Sequence, residues 1–260
     1  MKKRHVVLEG VIKEFIKSSE PVSSRQLQEQ LGIELSSATI RYYFKQLTQN
    51  GYLQKKHVSS GRIPSEKSLR NYWRSRLKKR TFAIGQFPDF DELAKEYGIV
   101  CEYNLYRNSH LKEVKNYKNR FLVLGFDDEE LILPYNEKVE KYLGSLIDKP
   151  ALDVAQHCMN VGLRGICGKI KSFIAEDFEL CNLEELLELG LEDTSWAKTN
   201  FTDIVKGKRL TYEKPGLKFD GKYLSYKFFV VHEPHKRAEV LLFGRLYRDY
   251  CAFLKNLEKE

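Results

Sequence analysis

Apolar residues recur at helical spacing through the first fifty residues of the chain. The spacing predicts an amphipathic helix over residues 3–17, whose apolar stripe consists of Val7, Leu8, Val11, Ile12 and Phe15. Pro21 ends this pattern, and either Ser23 or Ser24 is placed to cap a second, short helix with the sequence SRQLQEQLG. The glycine that closes this segment, Gly32, is a natural residue to follow a helix.

A third helix is predicted over SATIRYYFKQLTQNG, capped by Ser36 or Ser37 and closed by Gly51. At about 100° per residue, one narrow apolar stripe holds Ile40, Phe44 and Leu47. The opposite arc and its flanks hold Ala38, Thr39, Arg41, Tyr42, Lys45, Gln46 and Gln49. Amide, guanidinium and small apolar groups on one face are typical of a helix that reads base edges in a major groove. The three helices predict a helix-turn-helix, although helical cores without DNA share this spacing.

The segment GYLQKKHVSSGRIP follows directly and predicts two short strands around a turn. A hairpin after a recognition helix is a wing, and its cationic or titratable side chains Lys55, Lys56, His57 and Arg62 would then meet phosphates. The alternative is a hairpin that is merely solvated.

A fourth helix is predicted over residues 65–80, SEKSLRNYWRSRLKKR. Leu69, either Tyr72 or Trp73, and Leu77 form its apolar side, and its remaining surface is strongly cationic. This charge row either follows the DNA backbone or is a solvated face, and the sequence favours neither.

Charge divides the chain into two parts. Residues 1–80 hold 18 Lys and Arg against 6 Asp and Glu, a net charge of +12, whereas residues 81–260 hold 26 against 30, a net charge of −4. A basic head on a mildly acidic body favours a polyanion-binding module joined to a second domain. Five widely spaced cysteines, no apolar run of membrane-spanning length and no leader-like start predict a cytoplasmic protein with reduced thiols.

Beyond residue 81 the pattern is mixed. Strands are predicted at GIVCEYNLY, RFLVLGF, LILPY, RLTYE, YLSYKFFVV and RAEVLLF, and helices at NEKVEKYLGSLI, ALDVAQHCMNVG, NLEELLELG and RLYRDYCAFLKNLEKE. The short links between strands favour an antiparallel α+β sheet over a doubly wound one. We expect the last helix to pack its stripe of Leu246, Tyr250, Phe253, Leu254 and Leu257 into the core.

Catalytic motifs are absent from the sequence. It has no G-x-S-x-G, no glycine-rich phosphate loop and no H-E-x-x-H. His232 and His235 in HEPH are the nearest approach to a metal pair, and exposed turn histidines are the better interpretation. Residues 127–130, DDEE, read as a solvated turn between two strands. We therefore expect no enzyme, no cofactor and no metal site.

Four ordered blocks carry a family resemblance. EPVSSRQL, SSATIR, GYL and HVSSGRIPS, followed by a tyrosine-containing helix, make residues 20–73 resemble the heat-inducible transcription repressor family HrcA. A weaker match lies in AEVLLFGRLYRDYCAFLKNL, where Gly244, Asp249 and Tyr250 fit the family's closing element. Tyr42 and Tyr43 stand where the family usually has Asn and an acidic residue, a departure that bears on the preferred operator.

The resemblance implies a dimeric repressor that binds double-stranded DNA at an inverted repeat upstream of chaperone operons, with GroEL supporting its activity. It also implies the fold: an N-terminal winged helix-turn-helix over residues 1–80 and a GAF-like antiparallel-sheet domain over residues 81–260. The chain is shorter than most members, which predicts a reduced dimerisation insertion near residues 137–208.

The predicted DNA contacts form two sets. The major-groove set is Ser37, Ala38, Thr39, Arg41, Tyr42 and Lys45, and the wing and backbone set is Ser24, Arg25, Lys55, Lys56, His57 and Arg62. Two alternatives stay open: a repressor of other operons gated by a small molecule in the body, and a chaperone client or adaptor whose basic head is incidental.

Overall fold

A computed structural model of the chain describes residues 3–31, 35–55, 61–79, 81–127, 129–232 and 236–258. The N-terminal part consists of three helices and a two-stranded antiparallel sheet: α1 (Lys3–Ser18), α2 (Ser24–Leu31), α3 (Ser37–Gln49), β1 (Leu53–Gln54) and β2 (Ile63–Pro64). The helices therefore lie where the periodicity predicts them, and the two predicted strands pair with each other.

Side-chain caps fix where the second and third helices begin. The Ser23 hydroxyl accepts a 3.1 Å hydrogen bond from the backbone N–H of Gln26, and the Ser36 hydroxyl accepts one of 3.2 Å from that of Thr39. Each bond satisfies an N–H that the first turn of a helix leaves without a partner. Of the serines that the sequence offers, Ser23 and Ser36 are therefore the caps.

Helix α1 contributes to two cores. Val7 and Val11 are fully buried against the stripe of α3, which confirms the predicted packing of Ile40, Phe44 and Leu47. Ile12 and Ile16 belong to a second core that also contains Trp73. Helix α1 therefore packs against the other helices of the head and also against the body.

The next helix, α4 (Glu66–Arg76), ties the head to the body. At its start, the Ser68 hydroxyl donates a 2.6 Å hydrogen bond to the carbonyl oxygen of Tyr52, next to β1. Trp73 is fully buried and Tyr72 is half-buried, so Trp73 is the aromatic residue of the apolar side.

The body follows in the order β3 (Thr81–Ile84), α5 (Phe90–Tyr97), β4 (Val100–Tyr106), β5 (Leu111–Tyr117), β6 (Phe121–Phe126), β7 (Glu129–Pro134), α6 (Glu137–Gly144), α7 (Ala151–Asn160), α8 (Arg164–Ile174), β8 (Ala175–Cys181), α9 (Leu183–Glu192), α10 (Thr194–Val205), α11 (Lys208–Tyr212), β9 (Gly216–Asp220), β10 (Tyr223–His232), β11 (Lys236–Arg245) and α12 (Tyr250–Leu257).

Six of these strands form one sheet. Its order is β3–β10–β11–β4–β8. The sixth strand, β9, pairs with residues 223–227 of β10, on the same edge where β3 pairs with residues 229–232. The α+β class is confirmed, but the expectation of a purely antiparallel sheet is wrong for one pair, because β3 runs parallel to β10. Helix α4, whose Trp73 is buried in the core on this sheet, comes directly before β3, so β3 reaches β10 from a distant part of the chain and no hairpin forces the two strands to be antiparallel.

The two faces of this sheet are covered by different helices. One face packs against α4, α5 and α12, and the predicted C-terminal stripe from Leu246 to Leu257 is buried there. Residues of α9 and α10 pack on the other face, where Trp196 stacks on Phe243 with ring centroids 4.9 Å apart.

Residues 107–174, between β4 and β8, build a separate layer. The strands β5, β6 and β7 form a three-stranded antiparallel meander. One face of the meander packs against α7 and α8 around its own apolar core, which includes Leu122, Leu124 and Ile170. The predicted insertion near residues 137–208 takes in α6 to α10 and β8 but not this meander, and its role in dimerisation stays a prediction.

Two predicted elements are wrong in detail. RLTYE, predicted as a strand, is the helix α11, because Gly207 starts it with a φ of 62° and the Thr211 N–H bonds back to the Gly207 carbonyl. The C-terminal helix begins at Tyr250 rather than Arg245, since Asp249 caps it through the N–H of Ala252. None of the helices in the described ranges combines the length and apolar character that crossing a bilayer requires.

Candidate nucleic-acid interface

The outer face of α3 is open to solvent and polar. Ala38, Arg41, Tyr42 and Lys45 are exposed, whereas Ser37 and Thr39 at the start of the helix are half-buried. The residues predicted to read DNA therefore lie on one surface, opposite the stripe that packs into the head. A helix presented in this way can enter a major groove without unpacking.

Two serine hydroxyls join the neighbouring helices beneath this face. The hydroxyls of Ser24 and Ser37 lie 2.9 Å apart and share a hydrogen bond between α2 and α3. The Arg41 guanidinium donates long bonds of 3.4 Å to the carbonyl and hydroxyl oxygens of Ser37. Bonds of this length are weak, so the Arg41 guanidinium can exchange them for a base edge or a phosphate. The two serines chiefly fix how the helices meet.

Tyr42 is the largest exposed side chain on the α3 face, with 58% of its surface accessible. Its hydroxyl accepts a 2.7 Å hydrogen bond from the Gln46 side-chain amide, and its ring meets the edge of Tyr43 at a centroid distance of 5.6 Å. Tyr43 is half-buried and packs against the head core. Gln46 orients Tyr42, a role that sequence reasoning missed, although the four-residue spacing of the pair could have indicated it.

The wing and backbone set is only partly brought together. Arg25 is highly exposed on α2 and pairs with Glu29 at 3.2 Å. Lys55 is exposed at the end of β1. Lys56 and His57 lie outside the described residues, so their predicted contacts stay predictions.

Arg62 holds the hairpin to the head. Its backbone exchanges two hydrogen bonds, of 2.8 and 2.9 Å, with Val22 in the connection between α1 and α2. Its guanidinium donates a 3.3 Å bond to the Thr48 hydroxyl on α3 and lies 6.0 Å from the centre of the Phe44 ring. Arg62 is half-buried, so these contacts point to a structural role beside the predicted phosphate contact.

Gly61 lets the hairpin approach the head so closely. A Cβ atom at this position would lie 2.5 Å from the carbonyl carbon and oxygen of Val22. Real Cβ atoms do not approach backbone atoms this closely, so a side chain would push the hairpin away. The glycine of the SSGRIP block therefore serves packing between the hairpin and the α1–α2 connection.

The sequence also singled out the HEPH histidines and residues 127–130. His232 lies at the end of β10, with its ring 5.8 Å from that of Phe87, and His235 lies outside the described residues. Asp127 lies in a turn and accepts a 2.9 Å hydrogen bond from the backbone N–H of His110. Glu129 and Glu130 belong to β7, so the predicted turn over residues 127–130 is wrong for these two residues. Within the described ranges, no three His, Cys, Asp or Glu side chains are grouped as metal ligands would be.

The comparisons with known proteins agree with the resemblance that the motifs carry. The family model of the HrcA C-terminal domain matches residues 73–260. A protein of Helicobacter pylori strain J99, named heat-inducible transcription repressor HrcA, is 26% identical over 265 residues, covering 100% of this chain and 96% of its own. The protein of the same name from Lysinibacillus sphaericus is 50% identical over 122 residues, covering 46% of this chain and 35% of its own.

Solved structures are more distant. A hypothetical protein solved at 2.2 Å is 20% identical, with a TM-score of 0.49, over 100% of this chain and 96% of its own. An IclR family transcriptional regulator from Brucella abortus is 14% identical, with a TM-score of 0.26, over 100% of this chain and 90% of its own. The family model covers well over half of the sequence, and its match shows that the chain belongs to the HrcA family.

Proposed function

We propose that the protein is a sequence-specific DNA-binding repressor of heat-shock chaperone operons. The observation that carries the proposal is the solvent-exposed polar face of α3, on a head whose net charge is +12. Relatives that bear the name heat-inducible transcription repressor support the same conclusion. In this proposal residues 1–80 act as a winged helix-turn-helix and residues 81–260 as a GAF-like regulatory domain.

Recognition would divide between base edges and phosphates. Arg41, Tyr42 and Lys45 extend from the exposed face of α3 and would reach base edges, while Ala38 would contact a thymine methyl. Arg25 and Lys55 at the margins would contact phosphates, which set register and supply affinity without sequence information. Lys56 and His57, in the same hairpin by sequence, are assigned to phosphates on chemistry alone.

An inverted repeat requires two heads related by a twofold axis, so we propose a homodimer. The three-stranded meander offers a surface for it: its outward face exposes Tyr117, Phe121 and Ile132 by 56%, 46% and 58%. Tyr117 and Phe121 are direct cross-strand partners. The proposed interface therefore lies at residues 111–134, before the segment 137–208 that sequence reasoning indicated.

The dimer is tested by sedimentation velocity at micromolar concentration. Ile132→Lys places a charge on the proposed interface and should shift the protein to monomer. Ile147→Lys is the matched control, because Ile147 is an exposed isoleucine outside the meander, and it should leave the dimer intact. A wild-type protein that sediments as a monomer would remove the dimer from the proposal.

A second candidate function is repression gated by a small molecule. A cavity of about 560 Å³ opens between α1 and α4, within the range of ligand pockets but in the head rather than in the body, where the sequence analysis placed the ligand. Its apolar lining includes Leu8, Ile12 and Tyr72, and the Arg76–Glu9 ion pair of 2.5 Å lies at its rim. A metabolite that binds there should raise the melting temperature of the wild type, and filling the cavity by Leu8→Trp should abolish the increase.

The decisive experiment is fluorescence anisotropy with a duplex that carries a chaperone-operon inverted repeat and with a scrambled duplex of equal length. We expect a preference of about a thousandfold or more for the repeat, with affinity falling steeply as salt rises. GroEL, which the family resemblance implies as a partner, should change the active fraction of the repressor. Equal binding to both duplexes would contradict the proposed function.

A further inference from the structure

A cationic groove lies between α4 and the edge strand β9, and its lining contains no residue of α3. Its volume is about 740 Å³. Arg70, Arg74 and Lys78 form one wall, Lys218 stands on the other, and Leu77, Leu217 and Phe219 form the apolar lining. Four cations and no carboxylate line this groove, so the lining residues alone give it a charge of +4.

Three of these cations follow one another along the chain. Arg70 and Arg74 lie one turn apart on α4, and at a rise of 1.5 Å per residue their attachment points are about 6 Å apart along the helix direction. Lys78 comes two residues after the helix ends at Arg76. A row at this spacing matches a ligand that carries several charges in sequence better than one that carries a single charge. Lys218 adds a cation from the opposite wall.

Two guanidinium groups lie close to the Phe219 ring. The guanidinium carbons of Arg70 and Arg74 lie 5.7 and 5.1 Å from the centre of the Phe219 ring. Arg70 also donates a hydrogen bond to the carbonyl oxygen of Gly221. Two like charges fixed on one ring repel each other, and an anion in the groove would offset that repulsion.

Among the described residues, carboxylates pair with two of the four cations of this groove. Glu66 lies 3.4 Å from Arg70, and Glu213 lies 3.4 Å from Lys218. For Arg74 and Lys78, no carboxylate of the described ranges lies within 4.0 Å. The buried Nε of Arg70 also lacks a hydrogen-bond acceptor among the described residues.

We propose that this groove binds a run of phosphate groups. Guanidinium forks match phosphate oxygens in pairs, and a line of cations suits successive phosphates. Two sources share this chemistry: the backbone of DNA that flanks the site read by α3, and a soluble polyphosphate. Only the DNA source rests on the proposed function, because a soluble anion could occupy the groove whatever α3 contacts.

The test uses the full chain and the double variant Arg74→Ala/Lys218→Ala. Both residues are exposed, so the fold should survive, and circular dichroism checks it. The matched control is Lys138→Ala/Lys236→Ala, which removes two exposed cations of the body outside the groove. The single variant Lys78→Ala provides an independent reading if the double variant misfolds.

One arm titrates inorganic tripolyphosphate by calorimetry, and the other measures the salt dependence of binding to a scrambled duplex. We expect the double variant either to weaken tripolyphosphate binding at least tenfold or to flatten the logarithmic salt slope by about 1.8, at about 0.9 for each lost phosphate contact. The first result assigns a soluble polyphosphate and the second assigns DNA.

If the double variant and Lys78→Ala match the control pair in both arms, the proposal is overturned and the row is a solvated face. Loss of operator preference in the wild type would contradict the proposed function instead. The tripolyphosphate arm would still report on the groove in that case, so the two failures can be told apart.

Discussion

The indole nitrogen of Trp73 donates a 2.7 Å hydrogen bond to the backbone carbonyl oxygen of Leu246. The two residues are 173 positions apart in the chain, and both are buried. The Trp73 ring also meets the edge of Tyr250 at a centroid distance of 5.3 Å. Because α4 starts on the head and ends in this contact, the head is packed against the body rather than joined by a free linker. Changes in the stability of the body can therefore reach the proposed DNA-binding surface.

Replacing Trp73 with Phe should destabilise the protein by about 1–3 kcal/mol from the unpaired carbonyl of Leu246 alone, in addition to the loss of packing. Urea unfolding measures this effect. Trp196→Phe is the matched control, because Trp196 is also buried but its indole nitrogen has no hydrogen-bond partner among the described residues. Equal losses for the two variants would show that the bond to Leu246 adds nothing.

Gly61→Ala should displace the β1–β2 hairpin from the head. The added Cβ meets the Val22 carbonyl group at 2.5 Å, and backbone atoms cannot move away as a flexible side chain can. We expect a lower melting temperature and at least tenfold weaker DNA binding. Gly165→Ala on α8 is the control, since its Cβ would meet nothing within 4 Å and a helical Ala is favoured over Gly. A Gly61→Ala protein with unchanged affinity would rule out hairpin placement as a requirement.

Tyr42→Ala and Lys55→Ala should separate sequence reading from charge. Tyr42 lies on the central exposed face of α3, so its loss should reduce the preference for the inverted repeat by about 1–3 kcal/mol. Lys55 lies on the hairpin, so its loss should flatten the salt slope by about 0.9 and leave the preference intact. Anisotropy across a salt series measures both quantities. The assignment of roles is wrong if Lys55→Ala changes base preference while the slope stays the same.

The head was predictable because its signals are local. The stripe of Ile40, Phe44 and Leu47 follows directly from a period of 3.6, and glycine and serine mark where its helices stop and start. The sequence could not decide which of two neighbouring serines caps α3. Both Ser36 and Ser37 suit the position, and the choice depends on which hydroxyl reaches a free backbone N–H of the first turn, which the structure shows to be that of Ser36. The arrangement of exposed residues on α3 followed from the same wheel.

Long-range contacts account for the rest of the differences. The strand β3 pairs in parallel with β10, almost 150 residues later, and no local pattern indicates such a partner. Gln46 was placed on the face of α3 without its bond to Tyr42, because side-chain pairing depends on rotamers. The groove of Arg74 and Lys218 brings together residues that only the fold makes neighbours.

Charged residues inside the sheet were equally unpredictable, because the strands that carry them read as apolar. The carboxylate of Glu239 on β11 is completely buried and lies 2.7 Å from the Lys171 ammonium and 3.2 Å from that of Lys227. The Tyr106 hydroxyl donates a further 3.0 Å hydrogen bond to Glu239. Glu102 on β4 is also buried, on the same face of the sheet. These groups make the stability of the body depend on pH.

Burial raises the pKa of the Glu102 carboxyl from 4.5 to about 8, against the opposing effect of the Arg209 guanidinium. The folded state therefore keeps the proton of Glu102 between about pH 4.5 and pH 8, where the unfolded chain loses it. This contribution to stability is fully present below pH 4.5 and is lost as the pH rises towards 8. Burial also lowers the pKa of Lys227 from 10.5 to about 8, so this group makes stability change with pH only between about pH 8 and pH 10.5.

Glu102→Gln removes this titration and keeps the shape of the side chain, so the variant should lose less stability than the wild type as the pH rises. The free energy of unfolding from urea titrations at pH 5.5, 6.5 and 7.5 measures the effect. One proton per molecule corresponds to about 1.4 kcal/mol per pH unit, so the gap between the two proteins should change by about that amount at each step. Glu188→Gln, on an exposed position of α9, is the control. Its free energy of unfolding should change with pH as that of the wild type does. If the free energy of unfolding of Glu102→Gln changes with pH as much as that of the wild type, Glu102 is ionised in the folded protein, and Arg209 compensates its burial.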